Sequence, residues 1–436
     1  MKYQIKPSSE LHGEIRVPGD KSVSHRSIIL GSIAEGKTEV SRVLEGEDVL
    51  ATINAFRKMG VNIQRHSEDP EDNNYTIEGV GLYGLQNPGS ELDLGNSGTA
   101  FRLLCGLLCG QSWPSTLTGD ESLMTRPMGR VIRPLMQMGA KIKSNQEKPP
   151  IEISAKTRLQ GIEYEIPMAS AQVKSAILLA GLYANGETSV MENAPTRDHT
   201  ERMLSGFGYN VQKSGYRLTV EGHGKLSAQY VQVPSDLSSA AFFILGVLIS
   251  TNSELLLKNV GINPSRNGVI GILQRMGGQI YLERNQVIGG EPVADIRVKS
   301  SNLNSIEIAG SDIALAIDEI PVIAVAAACA EGRSIIKNAQ ELRVKESDRI
   351  KSIVDGLAAL GIGVVEKQDG MEIVGGSFKS GTVKSYSDHR IAMAFTMAAT
   401  VANGPVEIQD VKNVATSFPD FYPLCQSVGV NIETIL

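Results

Sequence analysis

Six runs along the chain are apolar on nearly every side: HRSIILGSIAEG, AFRLLCGLLCG, AQVKSAILLAGLYANG, DLSSAAFFILGVLIS, EIPVIAVAAACAEG and HRIAMAFTMAATVANG. A helix without a polar face has to be buried, so the pattern predicts six interior helices, covered by strands and by other helices. Five runs end at Gly36, Gly110, Gly186, Gly332 and Gly404, and the fourth ends near Asn252. Glycine and asparagine are the residues that tolerate the left-handed backbone of a helix stop. Short β-prone segments such as TEVSRV and RSIIKNA follow the runs.

A second, amphipathic series interleaves with the first. Its copies are Phe56 to Gln64, Leu135 to Lys143, Leu204 to Gln212, Leu273 to Tyr281, Leu357 to Val365 and Cys425 to Glu433. In each, an apolar residue, two others, an apolar residue and Gly lead into an alternating stretch. The glycines are Gly60, Gly139, Gly208, Gly277, Gly361 and Gly429. A helix stopped by a left-handed Gly and turning directly into a strand is the physical reading. Each unit of about 70 residues then holds two helices with strands between them, longer than a typical solenoid repeat. Six units in 436 residues of 42% hydrophobic content predict two domains of three units, each with its own core.

Composition narrows the function. The opening MKYQIKPSSE has no apolar stretch of signal length and no run approaches a membrane span, which predicts a cytoplasmic protein with no membrane partner. Three of the four cysteines, Cys105, Cys109 and Cys329, lie inside apolar runs, against a disulfide framework or zinc site. A net charge of −6 speaks against non-specific nucleic-acid binding, and 5% aromatic content with a single Trp113 offers no stacking platform. Any anion site must therefore be local.

The starts of the interior helices read GDKSVSHR, GNSGTAFR, ASAQVK, PSDLSS, IDEIP and YSDHR. Helix N-termini attract anions through unsatisfied N–H groups, and these compositions are expected to suit anion capture better than simple capping. GDKS lacks the G-x-x-x-x-G-K spacing of a nucleotide loop, and GVGLYG, from Gly79 to Gly84, reads as a turn because no helix can follow it before Pro88. In LRVKESDRI, Lys345 and Arg349 are expected on one face of a helix ending near Gly361, with Glu346 beside them. Surface charge would explain that cluster alone. Together with Asp388, His389 and Arg390 at a helix start, Arg126 before Pro127, Lys21 and Asp318, it reads as an anion site. His25 and His389 read as packing residues.

The strings GDKSVSHR, LGNSGTAFR, DESLMTRPM, RVKESDR, SDHRIAMAF and TSFPDF, in this order, resemble the motifs of the 5-enolpyruvylshikimate-3-phosphate synthase family. They cover nearly the whole chain, and RVKESDR with SDHRIA is the most specific pair. The resemblance implies a two-domain inside-out α/β fold, each domain three copies of a βαβαββ unit with pseudo-threefold symmetry. One domain would run over residues 21–236 and the other over 1–20 plus 237–436, with two crossings at a hinge that lets bound anions draw the halves together. It implies transfer of the enolpyruvyl group of phosphoenolpyruvate to the 5-hydroxyl of shikimate 3-phosphate, without metal or organic cofactor, by a monomer.

Position by position, the resemblance assigns phosphoenolpyruvate to Lys21, Gly98, Arg126, Gln172, Arg349 and Arg390. It assigns shikimate 3-phosphate to Lys21, Ser22, Arg26, Ser170, Gln172, Asp318 and Lys345. Asp318 is the expected base, and Glu346 or Lys21 the acid. Two positions depart from the family pattern: Ala171 where many members have Ser, and Thr416 where some have Lys, with Lys412 nearby. The rival readings are the related transferase acting on UDP-N-acetylglucosamine, whose loop cysteine GDESLMTRPM lacks, and a non-catalytic phosphometabolite sensor, which would not need Asp318, Glu346 and Arg349.

Overall fold

The computed structural model describes residues 1–8, 10–66, 73–155, 158–288 and 290–435. The chain divides into two compact units. A central unit comprises residues 19–233 with 288–291, and a terminal unit comprises residues 1–18, 234–287 and 292–436. Each unit encloses its own hydrophobic cluster.

The apolar runs form the helices Lys21–Ile33, Gly98–Leu108 and Ala171–Gly181 in the central unit, and Leu237–Ile249, Ile320–Cys329 and His389–Thr400 in the terminal unit. Every residue from Leu237 to Leu248 is buried, as an all-apolar surface requires. In the terminal unit the three helices touch pairwise; in the central unit Gly98–Leu108 packs against the other two. Gly106 makes the closest of these approaches possible: a Cβ there would stand 2.0 Å from the backbone oxygen of Ala176 on the neighbouring helix.

Among the described residues six four-stranded sheets lie around the helices, three per unit. Leu92–Asp93, Ser115–Thr118, Ile142–Asn145 and Lys148–Ile153 show the pattern. The first strand pairs parallel with the second, which is antiparallel to the last; the last is antiparallel to the third. A parallel pair needs a crossover, and the interior helix Gly98–Leu108 supplies it. The amphipathic helix Gly129–Gln137 then leads into the closing hairpin, completing one βαβαββ unit.

Two units close circularly. Tyr230–Gln232, from the end of the central unit, pairs parallel with Glu35–Ser41 near its start. Lys2–Lys6 inserts between Val406–Gln409 and Asn431–Ile435, so the first strand of the chain completes the last repeat.

All six glycines of the amphipathic series are left-handed, with φ between 80° and 103°. The interior series differs from expectation at two places. Gly36, Gly186, Gly332 and Asn252 have positive φ, but Gly110 and Gly404 do not. Gly110 is required by a neighbour instead, since a Cβ there would meet Tyr183 Cγ at 2.2 Å. GVGLYG is a strand end and turn. Among the described residues no helix is long and apolar enough to cross a membrane.

Gly106→Ala forces two helices apart at a backbone contact, so no side-chain rotation relieves it. The variant is expected to lose about 1–3 kcal/mol of unfolding free energy in urea titration, the range for an overpacked core.

Candidate active site

In the terminal unit the helix Arg349–Ala359 opens with Arg349, behind Asp348 as its cap. The Arg349 side chain is 1% exposed and turns inward onto three carboxylates. Nε donates to Asp388 Oδ2 at 2.7 Å, Nη2 to Glu346 Oε2 at 2.6 Å and Nη1 to Asp318 Oδ1 at 3.4 Å. Burial works against the charge of the guanidinium, but Asp388, Glu346 and Asp318 together outweigh it and raise the pKa.

Asp388 is fully buried and caps His389–Thr400, accepting from the Arg390 amide at 3.0 Å. It is delivered there by two left-handed non-glycine residues, Tyr386 and Ser387, with φ of 55° and 57°. Such backbone persists only where its surroundings hold it. Here the Tyr386 hydroxyl donates to Asp355 at 2.8 Å and Asn413 Nδ2 donates to the Ser387 carbonyl at 2.8 Å.

Asp318 lies in the 3-10 turn Ile317–Glu319, directly before the interior helix Ile320–Cys329. Arg390 Nη1 donates to the Asp318 carbonyl at 3.1 Å, and Nη2 stands 3.9 Å from Asp318 Oδ2. One carboxylate is thus shared between two guanidinium groups, and Asp318 and Glu346 remain 19% and 32% exposed.

In the central unit a different charge arrangement appears. Arg26, 4% exposed, donates from Nε to Thr200 Oγ1 at 2.6 Å, from Nη2 to Ser175 Oγ at 2.9 Å and from Nη1 to the Ser22 carbonyl at 3.1 Å. All three acceptors are neutral. Burial therefore pushes the guanidinium down to about 10, with Glu201, Asp20 and Glu291 opposing and Arg197 reinforcing the shift. A buried cation held only by neutral oxygens is a ready place for an anion. Lys21 pairs with the carboxylate of Asp48.

Gln172, early in Ala171–Gly181, accepts from Arg102 Nη1 at 2.6 Å and donates to Thr99 at 3.0 Å. Arg126 donates to Asn96 Oδ1 at 2.5 Å. At Gly98 a Cβ would stand 2.8 Å from Arg102 Nη1 and 3.2 Å from Arg126 Nη1, so the absent side chain leaves two guanidinium groups beside bare backbone.

Several expectations change. Lys345 is not on the Arg349 helix: it follows the 3-10 turn Gln340–Val344, and its ammonium is 3.8 Å from Glu341. Lys345 and Arg349 therefore share no helix face, because the cap at Asp348 starts the helix later than the charge pattern suggested. Helix starts are also capped more than expected. Asp20, Ser97, Ser170, Asp236 and Asp388 each accept a first-turn amide, so the protein's own side chains occupy sites predicted for anions. The Ser170 hydroxyl uses its oxygen for the cap and retains its proton for donation. Thr416 donates to the Asn413 carbonyl and Lys412 is exposed. His25 hydrogen-bonds Thr52 through Nδ1.

Sequence reading missed Arg102, although it stands in the quoted GNSGTAFR string as the one charge of an apolar helix. It also missed Thr200 and Ser175, which aim Arg26 from another repeat and carry no local signal.

The profile of EPSP synthase (3-phosphoshikimate 1-carboxyvinyltransferase) matches residues 5–424. The chain belongs to the EPSP synthase family. It is 54% identical over 432 residues to the 3-phosphoshikimate 1-carboxyvinyltransferase of Alkalilimnicola ehrlichii, covering 99% of this chain and 96% of that one. The Methylococcus capsulatus protein of the same name is 55% identical over 428 residues, 98% of this chain and 97% of its own. The solved EPSP synthase of Acinetobacter baumannii superimposes with a TM-score of 0.90 at 50% identity, covering 99% of both chains. The family's inside-out α/β architecture is the one described above.

Within this EPSP synthase family member, Arg349→Met would leave Asp388 buried without its cation. Breaking a buried ion pair from one side costs about 3–5 kcal/mol, and chemical denaturation is expected to show a loss of that size.

Proposed function

We propose that this enzyme of the EPSP synthase family transfers the enolpyruvyl group of phosphoenolpyruvate to the 5-hydroxyl of shikimate 3-phosphate, with release of phosphate, in the shikimate pathway. The Asp318 carboxylate shared between Arg349 and Arg390, with Glu346 on the same Arg349, carries the reading. That arrangement puts partly exposed carboxylates against cations that recognise carboxylate and phosphate.

Phosphoenolpyruvate is assigned to Lys21, Gly98, Arg126, Gln172, Arg349 and Arg390. Arg390 has the more accessible guanidinium, at 15% exposure against 1% for Arg349, and takes the larger share of the contact. Shikimate 3-phosphate is assigned to Lys21, Ser22, Arg26, Ser170, Gln172, Asp318 and Lys345. Its carboxylate answers Arg26, whose hydrogen bonds run to neutral oxygens, while the Ser170 hydroxyl and the Lys345 ammonium suit its phosphate.

Asp318 takes the proton of the 5-hydroxyl as the oxygen bonds to C2 of phosphoenolpyruvate. Glu346 or Lys21 delivers a proton to the methylene carbon. The tetrahedral adduct then loses a methyl proton as the C2–O bond to phosphate breaks, which restores the double bond.

Asp318→Ala leaves Arg349 with Asp388 and Glu346, so the fold is retained while turnover falls by about 10²- to 10⁴-fold, the usual contribution of a general base. A phosphate-release assay with each substrate omitted in turn checks both points. Release that does not require both substrates, or normal turnover in Asp318→Ala, overturns the proposal.

The Arg26 charge also gives a pH signature. Its folded value of about 10 lies below the ordinary guanidinium value, so the unfolded chain binds the proton more tightly. Burying the charged form therefore opposes folding below pH 10, and that penalty is relieved as pH rises through the folded value. Anion binding runs the other way. Affinity for shikimate 3-phosphate, measured by calorimetry, is expected to fall several-fold between pH 8 and about 10.5, with this component missing in Arg26→Gln.

A further inference from the structure

Next to Asp318 stands a second carboxylate that the mechanism does not use. Glu319 is 1% exposed and ends the same 3-10 turn. Its Oε1 accepts the hydroxyl of Ser238 and lies 3.6 Å from Arg390 Nη1, while its Oε2 is buried with no hydrogen-bond partner among the described residues. A buried carboxylate with one oxygen unpaired is expensive, and packing alone does not account for keeping it there.

The bonding behind it has a fixed direction. Arg266 Nη2 donates to Ser238 Oγ at 2.7 Å and to Asp236 Oδ1 at 2.9 Å. Because a guanidinium only donates, the Ser238 oxygen accepts from it and its proton is directed to Glu319. Glu319 is thereby aimed at Arg390, whose Nη1 is bonded to the Asp318 carbonyl and whose Nη2 lies near the Asp318 carboxylate. The guanidinium is flanked by two carboxylates just beyond hydrogen-bond distance, and among the described residues its one hydrogen bond runs to a backbone oxygen.

We infer that Glu319 is a positioning residue for the enolpyruvyl donor: aimed by Ser238 and Arg266, it sets the orientation of the Arg390 guanidinium. It touches no substrate and acts through Arg390. The inference rests on the assignment of Arg390 to phosphoenolpyruvate.

Glu319→Gln keeps an acceptor for Ser238 and removes the charge beside Arg390. Its KM for phosphoenolpyruvate is expected to rise about tenfold, within the range for partners in one charge network, with the KM for shikimate 3-phosphate and the melting temperature unchanged. In an Arg390→Lys background the same substitution is expected to add nothing further. An unchanged KM for phosphoenolpyruvate, additive effects in the double variant, or equal rises for both substrates would make Glu319 a packing residue and sink the inference. Should Glu319→Gln fold poorly, Ser238→Ala removes the donor that aims the carboxylate while Arg266 keeps Asp236 as its acceptor, and an unchanged KM for phosphoenolpyruvate there is equally decisive. Wild-type protein that releases no phosphate from the two substrates refutes the reaction itself; wild-type turnover with an inert Glu319→Gln refutes only the positioning role.

Discussion

A helix that is apolar all round can meet polar surroundings only at its ends. Six such helices form the interiors of the two units, and that constraint decides where chemistry can stand. Along their lengths the requirement is close packing, as at Gly106. At their N-terminal ends the chain has to supply polar groups in any case, and there Lys21, Ser22, Gly98, Gln172, Asp318 and Arg390 are found.

The helix dipoles are not the main attraction for anions. Asp20, Asp236 and Asp388 cap their own helices with negative charge, which neutralises three of the starts. In the proposed assignment recognition passes to the arginines, and the two units surround them differently. Arg349 is hydrogen-bonded to three carboxylates, Asp388, Glu346 and Asp318, which fixes its position and theirs. Among the described residues Arg26 has no carboxylate within hydrogen-bond distance, which is why the proposed assignment gives it an anion. A single residue type is thus held by carboxylates in one place and by neutral oxygens in another.

Much of this was legible in the sequence because the signals were local. An all-apolar run followed by Gly names an interior helix, and the six-fold recurrence of helix, Gly and strand names the repeat. The errors arose where a residue answers to a distant neighbour. Gly110 is glycine because of the Tyr183 ring, which no helix-stop rule anticipates. The Lys345 misplacement was avoidable, since Asp348 before an apolar stretch is an N-cap signal that outranks charge spacing. The partners of Arg26 were not avoidable: Thr200 lies 174 residues away in another repeat. Family resemblance supplied the site residues, whereas the division of labour among the arginines follows only from burial and bonding.

The strand Lys2–Lys6 carries one more implication. Its two neighbours in the sheet are Val406–Gln409 and Asn431–Ile435, and Lys2 pairs with Glu407 across a separation of 405 residues. A ribosome adds residues in order, so this segment is made 405 residues before Glu407 and has to wait for its partner strands. The central unit can assemble on the nascent chain in the meantime. The terminal unit cannot, and its N-terminal strand spends that interval as an unpaired edge in need of protection from premature association.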